Sequence, residues 1–227
     1  VSLKIYIGWD PNEQEAYRVA VKSLAKYSKI EPEPLVSEKL YAAGLLTRTV
    51  DTRGQAYDLP SNAPCSTEFA CSRFLVPMLC QSGWALFVDC DVVFMCDPME
   101  MLAYADKSKA VVVVKHNHSG SGTKMGGMVQ TNYSRKNWSS VCLWNCDHPA
   151  NKRLSLRDVN ERPGRDLHAF YHLSDSEIGE MPAQYNWLVN VQPKPANPKV
   201  MHFTRGGPWV DGWTPQPHDD LWLEAAR

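Results

Sequence analysis

With 227 residues, 44% of them apolar and 22% charged, the chain has the composition of a folded domain and none of the bias of a disordered one. A formal net charge of -1 gives no basic field for nucleic acid or for an anionic membrane surface, so neither is expected as a partner. The longest apolar runs, Ala110–Val114 and Ala85–Val88, are far too short to cross a bilayer, and no transmembrane segment is expected.

Leu3–Ile7 (LKIYI) is an apolar, β-branched run ending at Gly8, the pattern of a buried strand feeding a loop. From Asn12 to Tyr27 the apolar positions Ala16, Val19, Ala20, Leu24 and Tyr27 recur at helical spacing. Strand, polar loop and amphipathic helix in that order open an α/β nucleotide-binding domain. A second helix is predicted over Thr67–Gln81, where Phe69, Arg73, Val76 and Cys80 recur at helical spacing and Gly83 follows as a stop. Trp84–Val88 (WALFV) is the next buried strand, Met99–Tyr104 a short helix and Ala110–Lys115 (AVVVVK) another strand. Beyond His116 a Gly/Ser-rich stretch holding Gly120, Gly122, Gly126 and Gly127 reads as a mobile loop. Val141–Asn145 is then a strand, Pro149–Leu156 a short helix and Val200–Thr204 (VMHFT) the last strand. No repeat or linker divides the chain, so one α/β domain over 1–227 is expected, with a mostly parallel sheet. Residues 1–115 would form its nucleotide- and metal-binding half, and 116–227 the lids and acceptor-side walls.

Seven cysteines, an odd number without a Cys-x-x-Cys pair, argue against zinc and against a disulfide framework. Reduced thiols in a cytoplasmic protein are the expectation. No basic start followed by an apolar stretch suggests a secretory leader, and the first residue is Val1 rather than Met, as where a boundary has been trimmed. The Asn-x-Ser sequons at Asn117, Asn132 and Asn137 are accordingly read as incidental.

The chemistry centres on Phe87–Phe94 (FVDCDVVF). Residues i and i+2 of a strand share a face, so Asp89 and Asp91 at a strand end can converge on one hard cation. Asp-x-Asp is common in solvated turns, but here apolar runs flank it on both sides. Two carboxylates that interrupt a core element are costly unless a cation compensates them. Either one should then be removable without unfolding the metal-free protein, while metal-dependent turnover is lost. His202, on the last strand and ahead of Gly206-Gly207, is either a packed core histidine or a third ligand. As a ligand its imidazole favours Mn²⁺ over Mg²⁺. His168 and His172, four apart, and His116-x-His118 are weaker metal or phosphate candidates, and no NTPase phosphate loop or Gly-x-Ser-x-Gly elbow is present.

FVDCDVVF resembles the Asp-x-Asp motif of GT-A glycosyltransferases, which are Rossmann-like, and the chain is similar to glycosyltransferase family 8 and its relatives in bacteria, phages and large viruses. Four further segments match in order. IYIGWDPNEQEAY resembles the family's first strand and uridine loop, which implies Gly8, Trp9, Asp10 and Asn12 at the nucleoside. Cys71-Ser72-Arg73-Phe74 resembles the helix whose Arg lies beside the nucleotide and the carboxylates. Val200–Thr204 resembles the strand carrying the third metal ligand, here His202. Arg205–Trp209 resembles the loop closing over the pyrophosphate, implying roles for Thr204, Gly206, Gly207 and Trp209.

The resemblance implies Mn²⁺, with Mg²⁺ as the alternative, a UDP-sugar donor, a hydroxyl acceptor on a glycan or lipid-linked sugar, and retention at the anomeric carbon. Trp138-Ser139-Ser140 stands where the family has Asn-x-Gly, and Asp166-Leu167-His168 where it has Asp-Gln-Asp, so the sugar side departs from pattern. Asp166 and Asp175 are the carboxylates placed nearest the sugar. A nucleotidyltransferase is the competing enzyme class, but it needs a basic Gly-rich loop where GWDPNEQE stands. A nucleotide-sugar-binding protein without transfer activity is the non-enzymatic alternative.

Overall fold

In the computed structural model, which describes residues 2–51, 56–117, 123–124, 128–129 and 135–227, the opening apolar run forms β1 (Leu3–Gly8). His118, Gly120, Gly122, Gly126, Gly127 and Asn132 lie outside the described residues. A 3-10 turn (Pro11–Glu13) leads into α1 (Gln14–Ala25), whose Ala16, Val19, Ala20 and Leu24 are buried as the spacing predicts. β2 (Glu33–Leu35), α2 (Ser37–Ala42) and a small meander of β3 (Val50–Asp51), β4 (Tyr57–Asp58) and β5 (Ala63–Pro64) follow.

The helix predicted over Thr67–Gln81 is not continuous. A 3-10 turn (Ser72–Leu75) gives way to α3 (Val76–Cys80), with Pro77 in its first turn. Proline has no N–H to donate back along a helix, so a helix can begin there but not run through.

β6 (Trp84–Val88) and β7 (Val92–Phe94) are separated by only three residues, Asp89 to Asp91. The 98–104 segment is a 3-10 helix, β8 is Val111–Val113, and β9 (Thr123–Lys124) pairs with β10 (Met128–Val129). β11 (Val141–Asn145) matches its predicted bounds. The helix predicted over Pro149–Leu156 is instead a 3-10 turn (Pro149–Arg153) and a separate α4 (Leu156–Glu161), divided by the Ser155–Asp158 capping box. α5 (Gly164–His168), β12 (Ile178–Glu180), β13 (Trp187–Leu188), β14 (Val200–His202) and α6 (Asp219–Ala226) complete the chain. Several of these elements span one helical turn or two residues, too short to show a period.

The main sheet runs β12-β8-β11-β6-β1-β2. β1 is parallel to β2 and β6, β12 is parallel to β8, and β11 is antiparallel to both its neighbours. Every residue of β6 and β11 is buried, as sheet centres covered on both faces require. β7 leaves this sheet and joins a second one, β13-β14-β7. α1 packs on that junction, where Ser23 Oγ accepts the Phe94 N–H at 3.0 Å. All seven cysteines are free thiols, and burial pushes those of Cys71 and Cys96 up to about 12. No helix among the described residues is long and apolar enough to cross a membrane.

His172 is buried, its ring edge-on to Tyr171, and neither ring nitrogen has a hydrogen-bond partner. Burial pushes its pKa down to about 4, with Arg153 adding to the effect and Asp158 and Glu177 opposing it. The unfolded chain therefore takes up this proton first as pH falls. Stability is full above the ordinary imidazole pKa of about 6.5 and is lost between there and about 4, on the order of 3 kcal/mol at most. His172→Phe should flatten the dependence of Tm on pH across that window. Acid melting curves with the same slope in both proteins would exclude His172 as the source.

Candidate active site

The switch of β7 from one sheet to the other builds the site. Asp89, Cys90 and Asp91 form the turn between the sheets, and Asp89 N–H donates to Ser140 O at 3.0 Å. β14 runs antiparallel to β7 with His202 opposite Val92, and Phe203 N–H donates to Asp91 O at 2.9 Å. This register sets His202 beside the carboxylates. Its Nε2 lies 3.3 Å from Asp91 Oδ1 and 3.9 Å from Asp89 Oδ2. Among the described residues, Asp89, Asp91 and His202 are the one cluster of three possible metal ligands, with one ligand atom from each inside a 4.8 Å limit.

A divalent ion fits this donor set. His202 is 1% exposed, yet its Nε2 has no hydrogen-bond partner. Two carboxylate oxygens and one imidazole nitrogen facing a common point are the ligand types that suit Mn²⁺. His202 is thus both a packed core residue and a possible ligand, two readings that the sequence set against each other.

Arg73 braces the other side. Its Nη1 donates to Asp89 Oδ1 at 2.6 Å and to Ser139 O at 3.0 Å, and its Nε donates to Ala70 O at 3.1 Å. The guanidinium lies 5.2 Å from the Phe69 ring centroid and 5.0 Å from that of Phe87. Phe69 in turn lies on Gly8: a Cβ there would come within 2.5–2.7 Å of three of its ring atoms. Gly8 is therefore required by the packing beneath Arg73. Cys90, between the two aspartates, donates to Glu13 Oε2 at 3.2 Å, and burial first, then Glu13, push its thiol pKa up.

The cluster opens into a cleft with two chambers. The smaller, about 240 Å³, is lined by Asp89, Asp91, Arg73, Lys136, Ser139 and His168 among others. The larger, about 1080 Å³, includes Asp10, Asn12, Glu38, Tyr41, Trp209 and Asp211. Glu13, Asp58, Thr67 and Cys71 line both, so the chambers adjoin. Asp10 is buried, and its two oxygens accept the N–H groups of Asn12 and Glu68, each at 2.8 Å. It caps the turn before α1 and ties the 65–70 loop to β1.

Gly8, Trp9 and Thr204 are not among the residues lining either chamber. Gly206 has a φ of +100°, and its N–H donates to Phe203 O at 2.7 Å. A Cβ on Gly207 would strike the Trp209 ring, which packs on Phe203 and on Trp222 of α6. Both glycines are thus needed for the turn itself.

The structure does not bring Asp166 and Asp175 to the cleft wall. Asp166 faces Arg165 at 3.6 Å, and Asp175 is 87% exposed in an ion pair with Arg135. Arg165 and His168, on the same helix as Asp166, line the smaller chamber instead, and His168 Nδ1 lies 2.6 Å from Ser139 Oγ. Lys136, 6% exposed, joins them there. Sequence reasoning passed over Lys136, because a lysine beside a Gly/Ser-rich stretch looks solvated. It also passed over Asn186, buried immediately before the apolar run Trp187–Val189; a polar residue at the start of such a run was the available signal.

The fold is that of the GT-A glycosyltransferases. GlyE of Streptococcus pneumoniae TIGR4 superposes with a TM-score of 0.61 at 11% identity, over 99% of this chain and 61% of GlyE, so the chain spans about three-fifths of that protein. The galactosyltransferase LgtC, in a complex with donor and acceptor sugar analogs, gives 0.57 at 15% identity, over 98% of this chain and 95% of LgtC. A glycosyltransferase involved in glycosylation of the major capsid of PBCV-1 gives 0.54 at 13% identity, over 89% of this chain and 93% of that protein. No protein-family model matches the chain. In sequence it is 43% identical over 229 residues to Protein CDI of Arabidopsis thaliana, covering 97% of this chain and 84% of that protein. At that identity and coverage, the chain belongs to the same family as Protein CDI.

Proposed function

We propose that the protein is a metal-dependent glycosyltransferase that moves a hexose from a UDP-sugar to a hydroxyl acceptor on a glycan or lipid-linked sugar. The observation that carries this reading is the convergence of Asp89, Asp91 and His202 Nε2 on one point, with the two aspartates in the wall of the smaller chamber. In this reading Asp89, Asp91 and His202 hold Mn²⁺, with Mg²⁺ as the alternative. When bound, the ion offsets the negative charge that builds on the departing diphosphate. Arg73 and Lys136 add fixed positive charge in the same chamber. Asp10 and Asn12 read the uracil from the larger chamber, Asp10 through lone pairs beyond those that accept the N–H groups of Asn12 and Glu68.

In this reading no protein nucleophile is used, Asp175 being 87% exposed and paired with Arg135, and the acceptor attacks from the leaving group's face with retention of configuration. The seven free thiols suit a reducing compartment such as the cytoplasm.

Thermal shifts with Mn²⁺ present test the base. UDP is expected to raise Tm more than GDP, ADP or CMP at equal concentration, because only the ligand that fits the folded cleft shifts the equilibrium. A larger shift from GDP would overturn the uridine assignment and leave the transferase reading standing. A larger shift from nucleoside triphosphates, with pyrophosphate release, would favour a nucleotidyltransferase instead. Hydrolysis of UDP-glucose, UDP-galactose and UDP-xylose by the Mn²⁺-loaded protein then identifies the sugar, and no hydrolysis or transfer with any donor would leave a binding protein.

A further inference from the structure

Asn186 sits at the end of a 3-10 turn (Ala183–Asn186), is fully buried, and reaches neither chamber of the cleft. Its Oδ1 lies 3.0 Å from His202 Nδ1. Its Nδ2 lies 2.9 Å from Ser140 Oγ and 3.3 Å from Asn137 O. The amide can face only one way. A backbone carbonyl accepts and never donates, so the group opposite Asn137 O must be the NH₂. Ser140 Oγ gives its own proton to Asn137 O at 2.7 Å, so toward Asn186 it too is an acceptor. The carbonyl of Asn186 therefore faces His202, and the proton of the neutral imidazole is held on Nδ1. That leaves the lone pair on Nε2, the buried nitrogen with no hydrogen-bond partner that faces Asp89 and Asp91.

We propose that Asn186 is a positioning residue that locks His202 in the Nδ1–H tautomer and so prepares Nε2 to ligate a divalent cation. The proposal rests on the metal reading of Asp89, Asp91 and His202, and not on what is transferred. Ser140 is the hub of the arrangement. Its carbonyl holds Asp89 N–H, while its hydroxyl orients the amide that orients His202. One residue therefore sets the spacing of a carboxylate ligand in the turn after β6 and an imidazole ligand on β14. The Trp138-Ser139-Ser140 segment, which sequence resemblance places on the sugar side, supports the cation site from behind.

The test begins on metal-free protein labelled with ¹⁵N-histidine, with His202 assigned by comparison with His202→Gln. At mildly alkaline pH the ring-nitrogen shifts should show Nδ1 protonated and Nε2 bare. Asn186→Leu, close in size but with no acceptor, should lose this preference and weaken Mn²⁺ binding, followed by EPR of the free ion, by about 10–100-fold. Asn186→Asp keeps an acceptor opposite Nδ1 and should retain the tautomer, which a purely structural role for Asn186 does not require.

A wild-type His202 protonated on Nε2 would overturn the proposal without any variant. So would Asn186→Leu with unchanged tautomer and Mn²⁺ affinity. If Asn186→Leu does not fold, loss of the Nδ1–H form in folded Asn186→Asp overturns it equally. Wild-type protein that shows the tautomer but binds no Mn²⁺ would defeat the metal reading, and with it the ligating role assigned here, while the transferase reading is judged separately by donor hydrolysis.

Discussion

Replacing Asp91 by alanine is expected to lower Mn²⁺-dependent sugar transfer by roughly 10²–10³-fold or more, the loss that follows when several kcal/mol of charge stabilisation on a departing diphosphate is removed. Asp89→Ala should match it in turnover. The two should differ in stability, although sequence alone treats them as equivalent. Asp89 is the counter-charge of Arg73, at 2.6 Å and buried, so its removal leaves the guanidinium near two phenyl rings and, among the described residues, with two carbonyls as its remaining hydrogen-bond acceptors. Breaking a buried pair from one side costs about 3–5 kcal/mol. Asp91 instead adds a second carboxylate near the first, and removing it relieves repulsion in the metal-free protein. Melting curves without metal should therefore place Asp89→Ala well below Asp91→Ala. Mn²⁺-dependent activity at the wild-type level in either variant would defeat the metal assignment, and equal melting temperatures would defeat the role given to Arg73.

The second large effect is expected far from the cation. Arg48 forks onto Asp58 with both partners buried, and its Nη1 donates to the carbonyls of Val159 at 2.6 Å and Arg162 at 2.9 Å. Asp58 also accepts from the N–H and the hydroxyl of Ser61, and Ser61 Oγ accepts the Gly164 N–H at 2.7 Å. This cluster fastens the β3–β5 meander, a wall of both chambers, to the end of α4 and the start of α5. Arg48→Met should leave the Asp58 carboxylate buried beside Ser61 alone and lower stability by about 3–5 kcal/mol. In a chain of this size that corresponds to a fall in Tm of roughly 6–20 °C. Adding Asp58→Leu should recover part of the loss, because the uncompensated charge goes with it. Losses that simply add in the double variant would show that the two residues stabilise the protein independently.

The sequence by itself determined the parts whose signal is local. The apolar runs of β1, β6, β8 and β11 mark strands because each is short, continuous and bounded by polar or turn residues. Asp89 and Asp91 stand out because charge at the end of a buried run is costly. α1 is legible from its 3.6-residue period, whereas Pro77 breaks the second helix that the apolar spacing alone predicts. What only the tertiary structure decided is which distant segments meet. β7 leaves the main sheet to pair with β14, and that crossing brings His202 to Asp91. The backbone bond from Asp89 N–H to Ser140 O ties the 135–140 segment to the end of β6, with Lys136 at the cleft and Ser140 on Asn186, while Asp175, a carboxylate as plausible in sequence as any other, ends at the surface paired with Arg135. Periodicity and burial report how each segment faces its own surroundings, but the pairing of strands far apart in the chain is set by the whole core closing at once, and no single segment carries that information.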